Sequence, residues 1–351
     1  MTLTPLHGHQ TLRGRLAEAI TADRLPQVIL LTGEFGIGKQ RLALWLGQRL
    51  LCEQPAAEPC GACPSCMRVL GLVHPDLHWF VPVPRPKAGD GEKQLEEVAD
   101  SLEAAMAERR ATGQWGAADG MASHGIASAR LLQRRASLSA VEGGWRVFIV
   151  AHAERLVPQE SSPEAANALL KLLEEPPARA LFVLTAPEAG LVLTTIRSRS
   201  VPIRMSRLSD DVVAEWAEMA GVPANEASLR AASGSIGRLQ AGGDPAGSKA
   251  ASSARAVLEA VRQGTDARAA VALRQGVSQA RGEFTGMLDA LAMALADEAR
   301  DGANSGAWRS TAAAAEGVGR VLEAREQAQG NVNPQLALAS LMDDLAALEA
   351  C

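Results

Sequence analysis

The stretch Val28-Ile29-Leu30-Leu31-Thr32-Gly33-Glu34-Phe35-Gly36-Ile37-Gly38-Lys39-Gln40 decides the fold. A short apolar run, typical of a buried strand, leads into a glycine-rich turn, and an amphipathic helical pattern follows from Lys39 to Leu51. Glycines let backbone N–H groups turn inward around phosphate oxygens, and a helix N-terminus adds partial positive charge. The stretch therefore predicts a phosphate-binding P-loop. Its candidate nucleotide-binding residues are Gly33, Gly36, Gly38, Lys39 and Gln40.

Further apolar runs alternate with helical patterns along the N-terminal part of the chain. The expected strands are residues 28–32, 77–81, 146–151, 181–185 and 201–205. Strands that alternate with helices favour a parallel sheet covered on both faces, so we expect an α/β domain on residues 1–207. After this domain the strands stop, and helical patterns occupy residues 208–243 and 244–351.

Residues 82–125 interrupt this alternation with a segment rich in proline and glycine. Within it, Leu95, Val98, Leu102 and Met106 recur at helical spacing, which predicts one short amphipathic helix. We expect an insertion at the edge of the sheet.

The composition excludes several classes of protein. Of the 351 residues, 47% are hydrophobic and 21% are charged, a balance that excludes wholesale disorder. A net charge of −5 argues against an autonomous nucleic-acid binder, so we expect any DNA contact to be local or shared with partners. The chain shows neither a basic start followed by an apolar run nor a long apolar segment. We therefore expect a soluble, cytoplasmic protein without a membrane partner.

The P-loop departs from that of an active ATPase. Gln40 stands where the motif places a Ser or Thr hydroxyl on Mg²⁺. In the strand pattern at 146–151, Ala151 and His152 stand where an acidic pair would bind the metal and activate water. We therefore expect no ATP hydrolysis by this chain, and at most weak binding of ATP or ADP. The alternative is an active ATPase in which His152 and Glu154 have taken other roles.

Four of the five cysteines form the pattern Cys52-x7-Cys60-x2-Cys63-x2-Cys66. Cys-x2-Cys spacing lets the backbone fold around one tetrahedral ion. Disulfides and free buried thiols are the alternatives, but a cytosolic chain has little use for disulfides. We expect a structural zinc module on residues 52–66, because four thiolates leave no open position for catalysis.

Three further motifs accompany these features. They are Ala165-Ala166-Asn167-Ala168-Leu169-Leu170-Lys171-Leu172-Leu173-Glu174-Glu175-Pro176-Pro177, Thr195-Ile196-Arg197-Ser198-Arg199-Ser200 and Gly234-Ser235-Ile236-Gly237-Arg238. With the altered P-loop and the cysteine cluster, they make the chain resemble the AAA+ clamp-loader subunits of bacterial DNA polymerase III. The resemblance covers nearly the whole chain except 82–125. It implies an AAA+ domain on 1–207, a helical lid on 208–243 and an oligomerising helical collar on 244–351.

Within this family the resemblance is to the delta-prime type, which tends to lose the ATPase residues and keep the arginine motif. It implies that Arg199 acts in trans as an arginine finger, stabilising charge on the γ-phosphate in a neighbour's ATP site. Arg238 looks like the family's sensor-2 arginine at the degenerate nucleotide site. The implied partners are the gamma/tau and delta subunits, the β sliding clamp, and primed DNA reached through the assembled complex.

Other hypotheses remain open at this point. A catalytically active gamma/tau-type subunit is the main alternative. A zinc-stabilised nucleic-acid-binding module is another, against which the acidic balance counts. Arg130, Arg134 and Arg135 would either face DNA or form an exposed, solvated helix face.

Overall fold

A computed structural model describes ten parts of the chain: residues 3, 5–54, 56–87, 89–113, 122–142, 144–156, 164–240, 249–275, 281–328 and 332–350. The chain divides into two compact units. One covers Met1–Ala118 and Ala122–Gly243, and the other contains Asp244–Cys351. The first unit therefore includes both the predicted α/β domain and the helical segment at 208–243.

The first unit is built on one parallel sheet. Its strands are β1 (Val28–Thr32), β2 (Leu77–Phe80), β3 (Arg146–Val150), β4 (Ala180–Ala186) and β5 (Val201–Arg204), in the order β2-β3-β4-β1-β5. Every pairing is parallel. The predicted strands and their parallel arrangement are therefore confirmed, with each end within a residue of the expected bounds.

Helices precede and connect these strands. They are α1 (Gln10–Thr21), α2 (Lys39–Leu51), α3 (Pro64–Leu70), α4 (Gly91–Thr112), α5 (Ile126–Ser137), α6 (Glu164–Glu174) and α7 (Thr194–Arg197), with short 3₁₀ turns at Ala153–Arg155 and Ala189–Leu191. The helix expected from Lys39 to Leu51 is confirmed by α2.

The helix expected in the insertion is longer than predicted, because α4 has 22 residues. The Asp90 side chain caps its first turn by accepting a hydrogen bond from Lys93 N at 2.9 Å, and Gly113 ends it in the left-handed conformation. No proline or glycine lies between Gly91 and Gly113 to end the helix earlier. Residues 114–121 of the insertion lie outside the described residues.

Aromatic stacking across the sheet fixes the register of its buried strands. Phe148 pairs with His78 on one side and with Phe182 on the other, and both ring pairs stack with centroids 4.9 Å apart. Phe148 and Phe182 are completely buried. A shift of one residue would turn these rings to the other face of the sheet, so their packing specifies the alignment of β2, β3 and β4.

The segment after β5 forms a small helical body with its own core. Its helices are α8 (Asp210–Ala220), α9 (Glu226–Ala232) and α10 (Ile236–Gln240). Their buried apolar cluster is separate from that of the sheet and consists of Val213, Trp216, Ala217, Ala232 and Leu239. A hydrogen bond of 3.0 Å from Gly237 N to Gly36 O brings α10 against the loop after β1. Another of the same length, from Leu208 N to Gly234 O, joins the segment after β5 to the turn before α10.

The described residues of the second unit form helices joined by short connections. Its helices are α11 (Lys249–Gln263), α12 (Thr265–Arg274), α13 (Arg281–Ser305), α14 (Trp308–Gln327) and α15 (Pro334–Ala350). Their shared apolar core includes Val257, Leu288, Leu291, Val321 and Met342, which are almost fully buried. Across the described part of both units, no helix combines the length and the apolar character that crossing a membrane requires.

Replacing Phe148 with alanine tests the stacked core. We expect Phe148→Ala to lower the free energy of unfolding by about 3–5 kcal/mol, because the change removes a fully buried ring and leaves a cavity. Urea denaturation followed by circular dichroism measures this cost. Leu138→Ala is the control, since Leu138 is 60% exposed and its loss should cost no more than about 0.5 kcal/mol. Equal costs for the two variants would contradict the packing described here.

Candidate functional site

The glycine-rich loop lies between the end of β1 and the start of α2, at the carboxyl edge of the sheet. Gly33, Gly36 and Gly38 have φ angles of 146°, 73° and 103°, a region in which side chains other than hydrogen are strained. The His9 ring nitrogen Nε2 lies 2.8 Å from Ile37 O and holds the loop from the N-terminal side. The sequence-predicted loop residues are thus brought together in one turn before α2.

Lys39 binds the backbone of its own loop. Its Nζ donates to Gly33 O at 2.6 Å and to Glu34 O at 2.7 Å. Burial lowers the pKa of Lys39 to about 8, and the negative charges of Glu154 and Glu34 oppose that shift. Two of the three ammonium protons are therefore used by carbonyl groups within the loop.

Glu34 brings a negative charge into the same loop and pairs with two arginines. Its Oε1 accepts from Arg207 Nε at 2.7 Å, and its Oε2 lies 3.6 Å from Arg238 Nη2. Arg238 is buried, whereas Arg207 is about one-third exposed. The predicted sensor arginine thus lies at the loop, where a carboxylate of the same chain partly neutralises it.

The backbone of α10 packs directly on the loop. A Cβ added to Gly237 would lie 2.5 Å from Gly36 Cα, and a Cβ on Gly36 would lie 2.9 Å from Gly237 Cα. Ser235 Oγ adds a hydrogen bond to Phe35 O at 2.9 Å. Only glycine at both positions permits this approach, so these two residues determine how closely α10 lies against the loop.

Gln40 and the residues after β3 form a hydrogen-bonded chain. Gln40 Nε2 lies 3.2 Å from His152 Nε2, and His152 Nδ1 lies 3.1 Å from Glu154 Oε1. Burial by itself raises the pKa of Glu154, but the hydrogen bond and charge of His152 outweigh it, so the pKa lies below its usual value. The structure therefore places Gln40 beside His152. By their place in the sequence, Gln40 stands at the position of the Mg²⁺-binding hydroxyl and His152 at that of the water-activating glutamate.

Glu34 and Arg207 also belong to this site, although neither was predicted from the sequence. Glu34 could have been recognised in the sequence, because a carboxylate in a phosphate-binding loop would repel a bound phosphate. Nothing in the sequence pointed to Arg207, which lies 173 residues further along the chain.

Arg199 lies two residues after the end of α7. Its Nε donates to Glu174 Oε1 at 2.7 Å, and its Nη1 donates to Thr195 O at 2.8 Å. The side chain is 30% exposed. The guanidinium is therefore at the surface in contact with the C-terminal end of α6.

Two of the three arginines considered for DNA contact have partners inside the chain. Arg134 Nη1 lies 2.8 Å from Glu92 Oε2 of α4, and the Arg135 guanidinium lies 5.6 Å from the Phe80 ring centroid. Arg130 is exposed. Contact with DNA and a solvated helix face both stay alternatives for these three arginines.

The four predicted metal ligands lie together. The sulfur atoms of Cys52, Cys60, Cys63 and Cys66 are all within 4.8 Å of one another, and those of Cys60 and Cys66 are 3.9 Å apart. Sulfur atoms around a tetrahedral ion with Zn–S bonds of 2.3 Å would be separated by about 3.8 Å, so the cluster fits such an ion.

Backbone N–H groups also surround these sulfur atoms. Cys63 N donates to Cys60 Sγ at 3.3 Å, and Cys66 N donates to Cys63 Sγ at 3.4 Å. Hydrogen bonds from the backbone of Ala62 and Cys63 lower the pKa of Cys60 to about 6, whereas burial raises the pKa of the Cys66 thiol. The cluster could therefore hold a metal ion through four sulfur ligands, with the backbone donors stabilising thiolate charge.

The order of the parallel strands and the glycine loop between β1 and α2 define an α/β protein of the P-loop type. A sequence model of the family described as "DNA polymerase III, delta subunit" matches residues 8–209, more than half of the chain. The chain belongs to this family.

Individual relatives agree with this assignment. DNA polymerase III subunit delta' of Bacillus subtilis is 30% identical over 184 residues, covering 52% of this chain and 43% of that protein. Subunit delta' of Haemophilus influenzae is 28% identical over 210 residues, covering 60% and 52%. The gamma/tau subunit of Mycobacterium tuberculosis is 31% identical over 226 residues, covering 63% and 32%. The predicted resemblance to the delta-prime type is confirmed, and the matches span about half or less of each relative's length.

A solved structure offers a comparison over a longer part of the chain. The DNA polymerase III gamma subunit-related protein of Thermotoga maritima is 18% identical and covers 97% of this chain and 98% of its own, with a TM-score of 0.40.

Glu34→Gln tests the contact between the loop and α10. We expect the free energy of unfolding to fall by about 1–3 kcal/mol, because the change removes the charge that compensates the buried Arg238. Chemical denaturation measures the loss. Glu188→Gln, on an exposed glutamate, should cost no more than about 0.5 kcal/mol. An unchanged stability of the Glu34 variant would show that the ion pairs do not stabilise the fold.

Cys63→Ala tests the metal cluster. We expect the purified chain to contain one metal ion, and the variant to lose it and melt at a lower temperature, because metal binding and folding are coupled. Elemental analysis and thermal melting measure both effects. Cys351→Ala is the control, since Cys351 stands apart from the cluster in the sequence and lies outside the described residues. Unchanged metal content in Cys63→Ala would refute the assignment.

Proposed function

We propose that this chain is a non-hydrolysing, delta-prime-type subunit of a DNA polymerase III clamp loader. It works beside gamma/tau-type and delta-type subunits, and the assembled complex places the β sliding clamp on primed DNA. In that complex Arg199 stabilises charge on the γ-phosphate of ATP bound by a neighbouring subunit. The names of the delta' relatives support the type of subunit.

The contact between Gln40 and His152 carries the non-hydrolysing part of the proposal. Hydrolysis of ATP needs a Mg²⁺ ligand on the P-loop and a carboxylate that orients or activates water. At these two places this chain has an amide and an imidazole that lie 3.2 Å apart. Glu154 is the nearby carboxylate, but its Oε1 is engaged by His152 and its side chain is 5% exposed.

The Lys39 and Glu34 contacts support weak or absent binding of ATP or ADP. A bound triphosphate would draw Lys39 Nζ away from two loop carbonyls and would meet the negative charge of Glu34. Opening the loop would also disturb the buried Arg238. The loop therefore acts as a structural contact for α10.

The location of Arg199 and the identity of its hydrogen-bond partners support its role in trans. The residue lies at the surface, and its partners Glu174, Thr195 and Ser198 belong to α6, to α7 and to the residue after α7, not to the glycine loop. An arginine finger needs a planar, permanently charged guanidinium at the surface of its subunit, and Arg199 supplies one.

Zinc is the metal that the cysteine cluster fits best. Four thiolates at tetrahedral spacing are characteristic of structural zinc sites. The ion would connect the end of α2 with the start of α3, which places it away from the loop carbonyls that bind Lys39.

A catalytically active gamma/tau-type ATPase is the second candidate. The gamma/tau relative from Mycobacterium tuberculosis, matched over 226 residues, favours it, as do the intact loop glycines and Lys39. This candidate requires His152 and Glu154 to replace the metal-binding and water-activating groups.

ATP hydrolysis by the purified chain separates these two candidates. With Mg²⁺ and saturating ATP, we expect no turnover above that of the Lys39→Ala variant, because the metal ligand and the general base are missing. Steady-state phosphate release is the measurement. Turnover that disappears in Lys39→Ala would overturn the proposal in favour of the gamma/tau-type ATPase.

The arginine finger is tested in a loader reconstituted with partner subunits. The clearest form is a single-site loader, in which only the ATPase subunit bordering this chain keeps its P-loop lysine. We expect Arg199→Ala to lower kcat there by about a thousandfold, because an arginine finger stabilises the transition state. Arg197→Ala, on an exposed arginine two residues earlier, is the matched control. Wild-type activity of Arg199→Ala would refute the finger.

A further inference from the structure

Arg199 is bound on two edges of its guanidinium by its own chain. Its Nε donates to Glu174 Oε1 at 2.7 Å, and its Nη2 donates to the same oxygen. Its Nη1 donates to Thr195 O at 2.8 Å and to Ser198 Oγ at 3.1 Å. A carboxylate therefore holds one edge, and two neutral oxygen acceptors hold the other.

Glu174 and Arg199 meet where the ends of two helices come together. Glu174 is the last residue of α6, and Arg199 follows α7. With Leu173 and Ser198, the pair lines a surface cavity of about 420 Å³. Both side chains are partly exposed, at 46% for Glu174 and 30% for Arg199, so a second subunit can approach them.

The exposure of this ion pair indicates that Glu174 orients the Arg199 side chain more than it stabilises the fold. Ion pairs that water reaches contribute little to the free energy of unfolding. A guanidinium gripped along its Nε–Nη2 edge, however, has few remaining orientations, whereas a free arginine side chain has many. The contact with Glu174 thus selects one orientation of Arg199 before any partner binds.

We propose that Glu174 is a positioning residue for Arg199. Its carboxylate stays hydrogen-bonded to Nε and Nη2 of Arg199. Nη1 gives up its hydrogen bonds to the neutral oxygens of Thr195 and Ser198 and donates to phosphate oxygens of the neighbour's ATP. The exchange is favourable because hydrogen bonds to a charged acceptor are stronger than those to a neutral one. This inference rests on the proposed function, since it requires Arg199 to act on that ATP.

Glu174→Ala in the single-site loader tests the proposal. We expect kcat to fall about tenfold while KM for ATP changes less than about twofold, because a misplaced finger weakens contacts made in the transition state. Glu174→Gln keeps an acceptor oxygen without the charge, so its loss should be smaller, about threefold. Glu175→Ala, on the adjacent exposed glutamate, is the matched control and should keep wild-type kcat.

Two further measurements separate positioning from a structural role. The double variant Glu174→Ala/Arg199→Ala should have the same kcat as Arg199→Ala alone, because Glu174 acts only through Arg199. In the isolated chain, the Arg199 Nε–H resonance, identified by its absence in Arg199→Lys, should shift in Glu174→Gln and stay in place in Glu175→Ala. If Glu174→Ala fails to fold, the Glu174→Gln variant carries both measurements.

The kcat values of the Glu174 and Arg199 variants decide whether Glu174 positions Arg199. Equal or higher kcat in Glu174→Ala, with kcat reduced in Arg199→Ala, would overturn the positioning role and leave the proposed function standing. A double variant less active than Arg199→Ala would assign Glu174 a structural role and would also overturn it. Wild-type kcat in Arg199→Ala would refute the finger, and the positioning proposal would fall with it.

Discussion

A partly buried ammonium group needs hydrogen-bond acceptors, and in this chain the acceptors of Lys39 organise the loop around it. The carbonyls of Gly33 and Glu34 bind its Nζ, which fixes the turn between β1 and α2. With the backbone so placed, the Glu34 side chain meets Arg207 and Arg238. One set of charges therefore connects the loop after β1, the segment after β5 and the small helical body.

These contacts distinguish the glycine loop, whose charges are paired within the chain, from Arg199 at the surface. The glycine loop satisfies its charges internally, and its backbone lies against α10 through the pair Gly36 and Gly237. Breaking an established ion pair in a partly buried place leaves an uncompensated charge, which is costly. Arg199, by contrast, lies at the surface on the far end of α7. This difference supports the proposal that the chain supplies a charge to a neighbouring subunit and binds nucleotide weakly or not at all.

Local sequence patterns predicted some parts of the fold well. The five strands follow from short apolar runs between turn residues, and α2 follows from its amphipathic spacing. The length of α4 was underestimated because four apolar positions were counted while the capping residues at its ends were not. Asp90 and Gly113 are local signals as well, so this error could have been avoided from the sequence.

The sequence by itself determined the features that depend on neighbouring residues: the strand–loop–helix unit, the close spacing of Cys60, Cys63 and Cys66, and the absence of a hydroxyl at Gln40. Only the tertiary structure decided which distant groups meet. Glu34 pairs with Arg207 across 173 residues, and Arg199 pairs with Glu174 across 25. Such pairs depend on the order of strands and the approach of separate helices, because hydrogen bonds and direct ion pairs form only between groups a few ångströms apart. Periodicity along the chain carries no information about those distances.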